Sequence, residues 1–177
     1  MTSGYTHVHY ANISFDLLDP ANVLYHPNYL VLSDRARASA LSDLGHGIQE
    51  LWTSGLALAV RELSTEFLRP IMAATQVAIL SQLVLHSARS ITVSQRFVAV
   101  PSLHKSERVD GFVETWVLED EPVLSALRAK LVCVSLSELR ALPLPEPLAS
   151  ALQRLAEAPL SQPSKSASRG FPVAAIR

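Results

Sequence analysis

The chain has 177 residues, 49% of them hydrophobic and 18% charged, with a formal net charge of −1. That describes one domain long enough to bury a core, without a charge field to attract nucleic acid. Cys133 is the sole cysteine, which excludes a disulfide framework and a thiolate metal cluster and fits a reducing cytoplasm.

The first ten residues have neither the basic start nor the apolar run of a secretory signal. Tyr5 to Phe15, rich in aromatic and β-branched residues, predicts a first strand. The residue before a proline is pushed towards extended backbone, so Asp19, ahead of Pro20, is expected at that strand's end. Pro27 and Asn28 mark the start of a helix, whose first-turn N–H groups would face the same loop. A carboxylate beside a positive helix end suits acyl-transfer chemistry, as base and oxyanion site.

The helix is expected over Tyr29 to Leu44, with Tyr29, Leu32, Ala36 and Ala40 on one stripe and Gly45 as its stop. The alanines of that stripe would let a sheet approach the helix closely. Strands follow at Leu56 to Phe67, Gln76 to Ser87 and Ser90 to Val100, with Arg69-Pro70 at the first junction. The apolar run Ile71 to Leu85 is interrupted by Thr75, Gln76, Ser81 and Gln82 and falls short of a membrane span. Ile91, Val93, Phe97 and Ala99 alternate with Thr92, Ser94 and Arg96, the pattern of a sheet with one covered face.

Phe112 to Leu118 and Val123 to Leu136 are further strands, read as a hairpin across Glu119 to Pro122. In the second, Leu127, Ala129, Leu131 and Cys133 oppose Arg128 and Lys130, which makes Cys133 a buried packing residue. Pro143, Pro145 and Pro147 lead into a short helix over Leu148 to Leu155. The Ser-, Pro- and Lys-containing stretch 161–177 is expected to be a disordered tail. Periodicity by itself supports an α+β fold.

Asp19-Pro20-Ala21, Val23 and Tyr25-His26-Pro27-Asn28-Tyr29-Leu30, followed by Ser33-Asp34-Arg35-Ala36-Arg37, resemble the hotdog-fold acyl-CoA thioesterases. The resemblance is to the subgroup of 4-hydroxybenzoyl-CoA thioesterase and the thioesterases of the Tol-Pal gene cluster. It implies one domain over residues 1–160, with a long central helix wrapped by a curled antiparallel sheet of five to six strands. It also implies hydrolysis of an acyl-CoA or acyl-carrier-protein thioester to free acid and thiol.

In that family the residue matching Asp19 acts at the thioester carbonyl, attacking it or activating water, and the N–H matching His26 faces the thioester oxygen. The His26 side chain is read either as substrate-facing or as packing. Tyr25 would wall the acyl pocket, and Asn28 and Asn22 complete the candidate substrate-binding set. Asn22 stands where relatives carry glycine, and Leu17 where they carry a second acid. Asn tolerates left-handed backbone, so the loop survives the exchange. The simpler reading of Asp19 is a carboxylate capping its own turn. Asp34 is read as a paired charge on the helix surface, and Arg89 and Arg96, taken to lie near a sheet edge, as CoA-phosphate candidates or solvated strand charges.

No cofactor or metal is expected. Of six histidines, His7 and His9 share a strand face without a third ligand at metal spacing and are read as an exposed edge. Gly45-His46-Gly47 lacks the remaining features of a phosphate loop, and Gly-x-Ser-x-Gly is absent. The mean hydropathy of +0.22 suggests apolar surface covered by further copies of the chain. The resemblance implies a homo-oligomer, a dimer with sheets joined edge to edge and an acyl pocket at the boundary, or a dimer of such dimers. The competing reading is a non-catalytic hotdog module that binds acyl thioesters, favoured by Asn22, Leu17 and the long link from Pro101 to Gly111. A hotdog dehydratase is the third.

Overall fold

The computed structural model describes residues 5–100, 111–114 and 122–158. Strand β1 (Tyr5–Asn12) is followed by a 3-10 turn (Phe15–Leu17), helix α1 (His26–Asp43) and a short α2 (Ile48–Thr53). Strands β2 (Leu56–Phe67), β3 (Gln76–Ser87), β4 (Ser90–Ala99), β5 (Gly111–Glu114) and β6 (Val123–Ser135) come next, then α3 (Glu146–Glu157). The strands form one antiparallel sheet in the order β2-β6-β4-β3-β1-β5.

Helix α1 spans 18 residues and lies on one face of the sheet. Its stripe is the one read from periodicity: Tyr29, Leu32, Ala36 and Ala40 are all buried, the two alanines completely. Tyr29, Leu32 and Ala36 pack with Val77, Ile79, Phe97 and Leu127, while Ala40 and Leu41 pack with Leu83, Val93, Leu131 and Leu148. Cys133 sits in this second cluster, fully buried, and burial pushes its thiol pKa up. Between the clusters runs a polar layer. The Gln95 amide donates to Ser33 O and Ser81 Oγ, both at 3.0 Å, and Ser33 Oγ donates to Gln95 Oε1. Every partner being satisfied, the layer fixes helix against sheet without leaving an orphaned polar group.

A leucine at position 36 would have to enter a contact already closed by methyl groups. Ala36→Leu is expected to lose about 1–3 kcal/mol of stability, measured by urea unfolding.

Helix α1 stops where the sequence requires. Gly45 adopts φ +77; its N–H donates to Ser42 O, and the His46 N–H donates to Leu41 O, both at 2.8 Å. That pair of bonds is a Schellman motif, and the left-handed residue at its centre favours glycine.

Several expectations need correcting. Strand β1 ends at Asn12, and the chain to Tyr25 is a loop with a 3-10 turn, so Asp19 is not at a strand end. Helix α1 begins three residues before Tyr29, and α2 was not foreseen. β5 is not a hairpin partner of β6: β6 is flanked by β2 and β4, and β5 pairs with β1. Alternation marks a strand but carries no information on its neighbour. The turn proposed at Glu119 to Pro122 lies mostly outside the described residues, as do the tail 161–177 and most of the Pro101 to Gly111 link.

β1 and β4 both lie inside the sheet. His7 is therefore no exposed edge: it is fully buried, its Nε2 is 3.0 Å from Asp43 Oδ2, and His9 is half-buried. Arg96 likewise stands on an interior strand, and Arg89 in the β3–β4 turn, so neither is at a sheet edge. Among the described residues no helix is long and apolar enough to cross a membrane.

Candidate active site

Residues 13–25 fold back on themselves ahead of α1. Leu18 bridges Leu24, the Asp19 N–H donates to Val23 O at 2.9 Å, and the Tyr25 N–H donates to Leu17 O at 2.9 Å. At the tip the Asn22 N–H donates to Asp19 O at 2.9 Å, closing a turn with Pro20 in its second position. Proline presets φ for that position. Asn22 has φ +64, the left-handed conformation that an asparagine tolerates where a glycine would otherwise serve. Met72 bridges Val23, and the Leu24 N–H donates to Ile71 O at 2.7 Å, which pins the loop to the β2–β3 connection.

The Asp19 carboxylate is half-buried, and its Oδ1 accepts from the Ala21 N–H at 2.8 Å and from the Val23 N–H at 3.3 Å. The turn-capping role is thus present, and it holds the carboxylate in one orientation. Asp19 also acts on Tyr29, the first buried residue of α1. Burial pushes the Tyr29 phenol up, a backbone hydrogen bond from Ile71 opposes this, and the Asp19 charge adds to the rise. Tyr29 packs edge-on to Phe67 with centroids 4.9 Å apart and lies 5.5 Å from Phe97, tying the start of α1 to the core.

His26 is the first residue of α1 and Pro27 the second. A first-turn N–H has no acceptor within its helix, and Pro27 has none to offer, so the His26 N–H is the donor at this tip. The Asn28 N–H turns back to Tyr25 O at 2.8 Å, and the Asn28 side-chain amide donates to Leu17 O at 2.8 Å. The amide of Asn28 thereby braces the loop on the helix. The Tyr25 and His26 rings are exposed and meet edge to face, centroids 4.7 Å apart. Among the described residues no hydrogen bond joins the Asp19 carboxylate to the His26 side chain, while the backbone loop carries both.

Asp34 pairs with Arg37 one turn along α1, as read from the sequence. These two line a cleft of about 280 Å³ with Leu41, Ile48, Trp52 and Leu58, and Trp52 is 56% exposed. A second cleft, of about 400 Å³, opens on the far face of the sheet. Neither includes Asp19 or His26. Among the described residues no group of His, Cys, Asp and Glu is placed to hold a metal ion. Sequence reasoning missed Tyr29 as a neighbour of Asp19. The spacing of 10 residues conceals it, and only the folded-back loop brings the two together.

No curated protein matches the chain in sequence. Among solved structures, a 1,4-dihydroxy-2-naphthoyl-CoA thioesterase from Synechocystis is similar, with TM-score 0.69 and 20% identity over 85% of this chain and 97% of that one. A DHNA-CoA thioesterase from Staphylococcus aureus gives TM-score 0.69 and 14% identity, over 88% and 97%. The dynemicin thioesterase gives TM-score 0.67 and 21% identity, over 85% and 96%. At these identities the likeness shows the fold, which is the hotdog fold. Residues 13–152 match the thioesterase-like superfamily, and the chain belongs to that superfamily of thioester hydrolases.

Proposed function

We propose that the protein hydrolyses an acyl-CoA thioester, with Asp19 as nucleophile or general base and the His26 N–H as oxyanion donor. The observation that supports this most is the loop itself, which fixes the Asp19 carboxylate at its tip and runs without interruption into the N–H at the start of α1. A thioester is an activated acyl group and its thiolate leaves readily. The site therefore needs little beyond a base and a donor for the developing oxyanion. Loss of one such donor costs roughly 3 kcal/mol in the transition state.

Exposed Tyr25 forms a wall for the acyl group, and Asn22 and Asn28 shape the loop that receives it. The His26 imidazole, edge to face with Tyr25, is positioned for substrate or water. The motif of residues 19–30 supports a position near the 4-hydroxybenzoyl-CoA and Tol-Pal subgroup, and the similar structures named as CoA thioesterases favour CoA over a carrier protein. The acyl pocket is completed by a second copy of the chain, in a dimer or a dimer of dimers. The reaction is placed in the cytoplasm.

The second reading is a non-catalytic module, and one observation favours it: Asp19 Oδ1 is already occupied by two loop N–H groups. Full-length protein incubated with aromatic, short-chain and long-chain acyl-CoAs, and with acyl-carrier proteins, distinguishes them by thiol release. Hydrolysis of at least one class with kcat/KM of about 10⁴ M⁻¹s⁻¹ or more is expected. Binding without released thiol across the whole panel would establish the module.

A further inference from the structure

The face of the sheet turned away from α1 carries a cleft that the chemistry at Asp19 does not use. Arg128 and Lys130 are two residues apart on β6 and so project from the same face, opposite the buried Leu127, Ala129 and Leu131. Register sets Thr92 of β4 beside Lys130 on one side, and Glu62 and Ser64 of β2 beside Lys130 and Arg128 on the other. His86, at the end of β3, completes the wall.

Two irregularities give this region its shape. The pairing of β2 with β6 skips one residue, Arg61, and the pairing of β3 with β4 skips His86. Each is a bulge, which bends its strand and re-aims the side chains around it. The bulge at Arg61 turns Glu62 and Ser64 onto the far face, while Leu58 and Val60 before it face the core side. The resulting cleft of about 400 Å³ is of small-molecule size.

Among the described residues its positive charges are not matched by carboxylates. Arg37, Arg61 and Arg140 each have a carboxylate within ion-pair distance. Among the described residues Arg128, Lys130 and His86 have none. The cleft's own carboxylate, Glu62, turns to Arg61 at 3.7 Å and not to Lys130 opposite it. A guanidinium fork, an ammonium, an imidazole and two hydroxyls around one concavity are the donors that a phosphate group takes up.

We propose that this cleft, formed by Arg128, Lys130, His86, Thr92 and Ser64, binds a phosphate-bearing small molecule. The same chemistry would hold either the phosphorylated nucleotide end of a CoA thioester or a free phosphorylated metabolite.

The test is calorimetric titration of the full chain with adenosine 3′,5′-bisphosphate, inorganic phosphate and uncharged adenosine, at low and high salt. The bisphosphate binds, adenosine does not, and added salt weakens the binding. Arg128→Gln and Lys130→Gln each reduce affinity about tenfold, the usual loss for a charge-assisted hydrogen bond. Arg140→Gln, an exposed arginine outside the cleft, leaves affinity unchanged. Thermal melts confirm that all three variants fold.

Kinetics identify the source. If the cleft holds the CoA end, Arg128→Gln raises KM for an acyl-CoA about tenfold and leaves the acyl-pantetheine analogue unaffected. If it holds a separate metabolite, neither KM moves while bisphosphate affinity falls. Absence of binding at millimolar bisphosphate, unaltered affinity in both cleft variants, or an equal loss in Arg140→Gln overturns the site.

Discussion

Asp19→Asn is expected to lower kcat/KM for acyl-CoA hydrolysis by about 10³-fold while leaving the fold intact. The substitution is chosen for its geometry. An asparagine keeps a carbonyl oxygen where Oδ1 now accepts from the Ala21 and Val23 N–H groups, so the turn retains its cap. What it loses is the negative charge, and with it both nucleophilic attack and proton abstraction. Asp19→Ala removes the cap as well and should cost about 1 kcal/mol of stability in addition. Thiol-release kinetics and thermal melts on the two variants separate the roles. An Asp19→Asn enzyme that keeps most of its turnover would mean that this carboxylate serves the turn alone.

The second large effect is expected from β2, whose 12 residues form one edge of the sheet. An edge strand presents unpaired backbone N–H and C=O groups, and natural proteins cover, shorten or charge such edges. Here Val60, Leu63 and Phe67 remain 43% to 51% exposed along it, and Phe67 also packs on Tyr29, the residue that feels the Asp19 charge. A second copy meeting this edge would cover the apolar side chains and close the ground beside the candidate site. Leu63→Lys is expected to yield monomers in sedimentation velocity and to lower turnover more than about tenfold, because like charges would face each other across the junction. A wild-type chain that sediments as a monomer with full activity would refute the dependence on assembly.

Much of the scaffold was readable in advance. The ends of β2 and β3 coincide with the expected strands because turn-forming residues punctuate them, Gly55 with φ +69 before β2 and Arg69-Pro70 after it. The stripe of α1 and its Gly45 stop were readable because a 3.6-residue repeat and a left-handed glycine are local properties. Within the candidate site, Asn22 was legible for the same reason, since its left-handed backbone depends on its own side chain and the turn around it.

The unread parts are those where distant segments decide. His7 looked like an exposed histidine, yet β5 and β3 flank its strand and Asp43, 36 residues later, meets its ring. The entry of α1 was marked by Pro27 and Asn28, but the bond that braces it, from the Asn28 amide to Leu17 O 11 residues back, was not legible. The far-face cleft depends on bulges at Arg61 and His86 that no alternation pattern announces.

By itself, then, the amino-acid order determined most of the helices and strands, α2 excepted, which faces are apolar, and a loop motif that resembles the thioesterases. Those follow from side-chain period and backbone restriction over a few neighbouring residues. The tertiary structure alone decided strand order, the burial of His7, the reach of the Asp19 charge to Tyr29 and the absence, among the described residues, of a carboxylate paired with Arg128 or Lys130. Each of these is a relation between residues far apart in the chain, set by the packing of the whole sheet and not by any one segment.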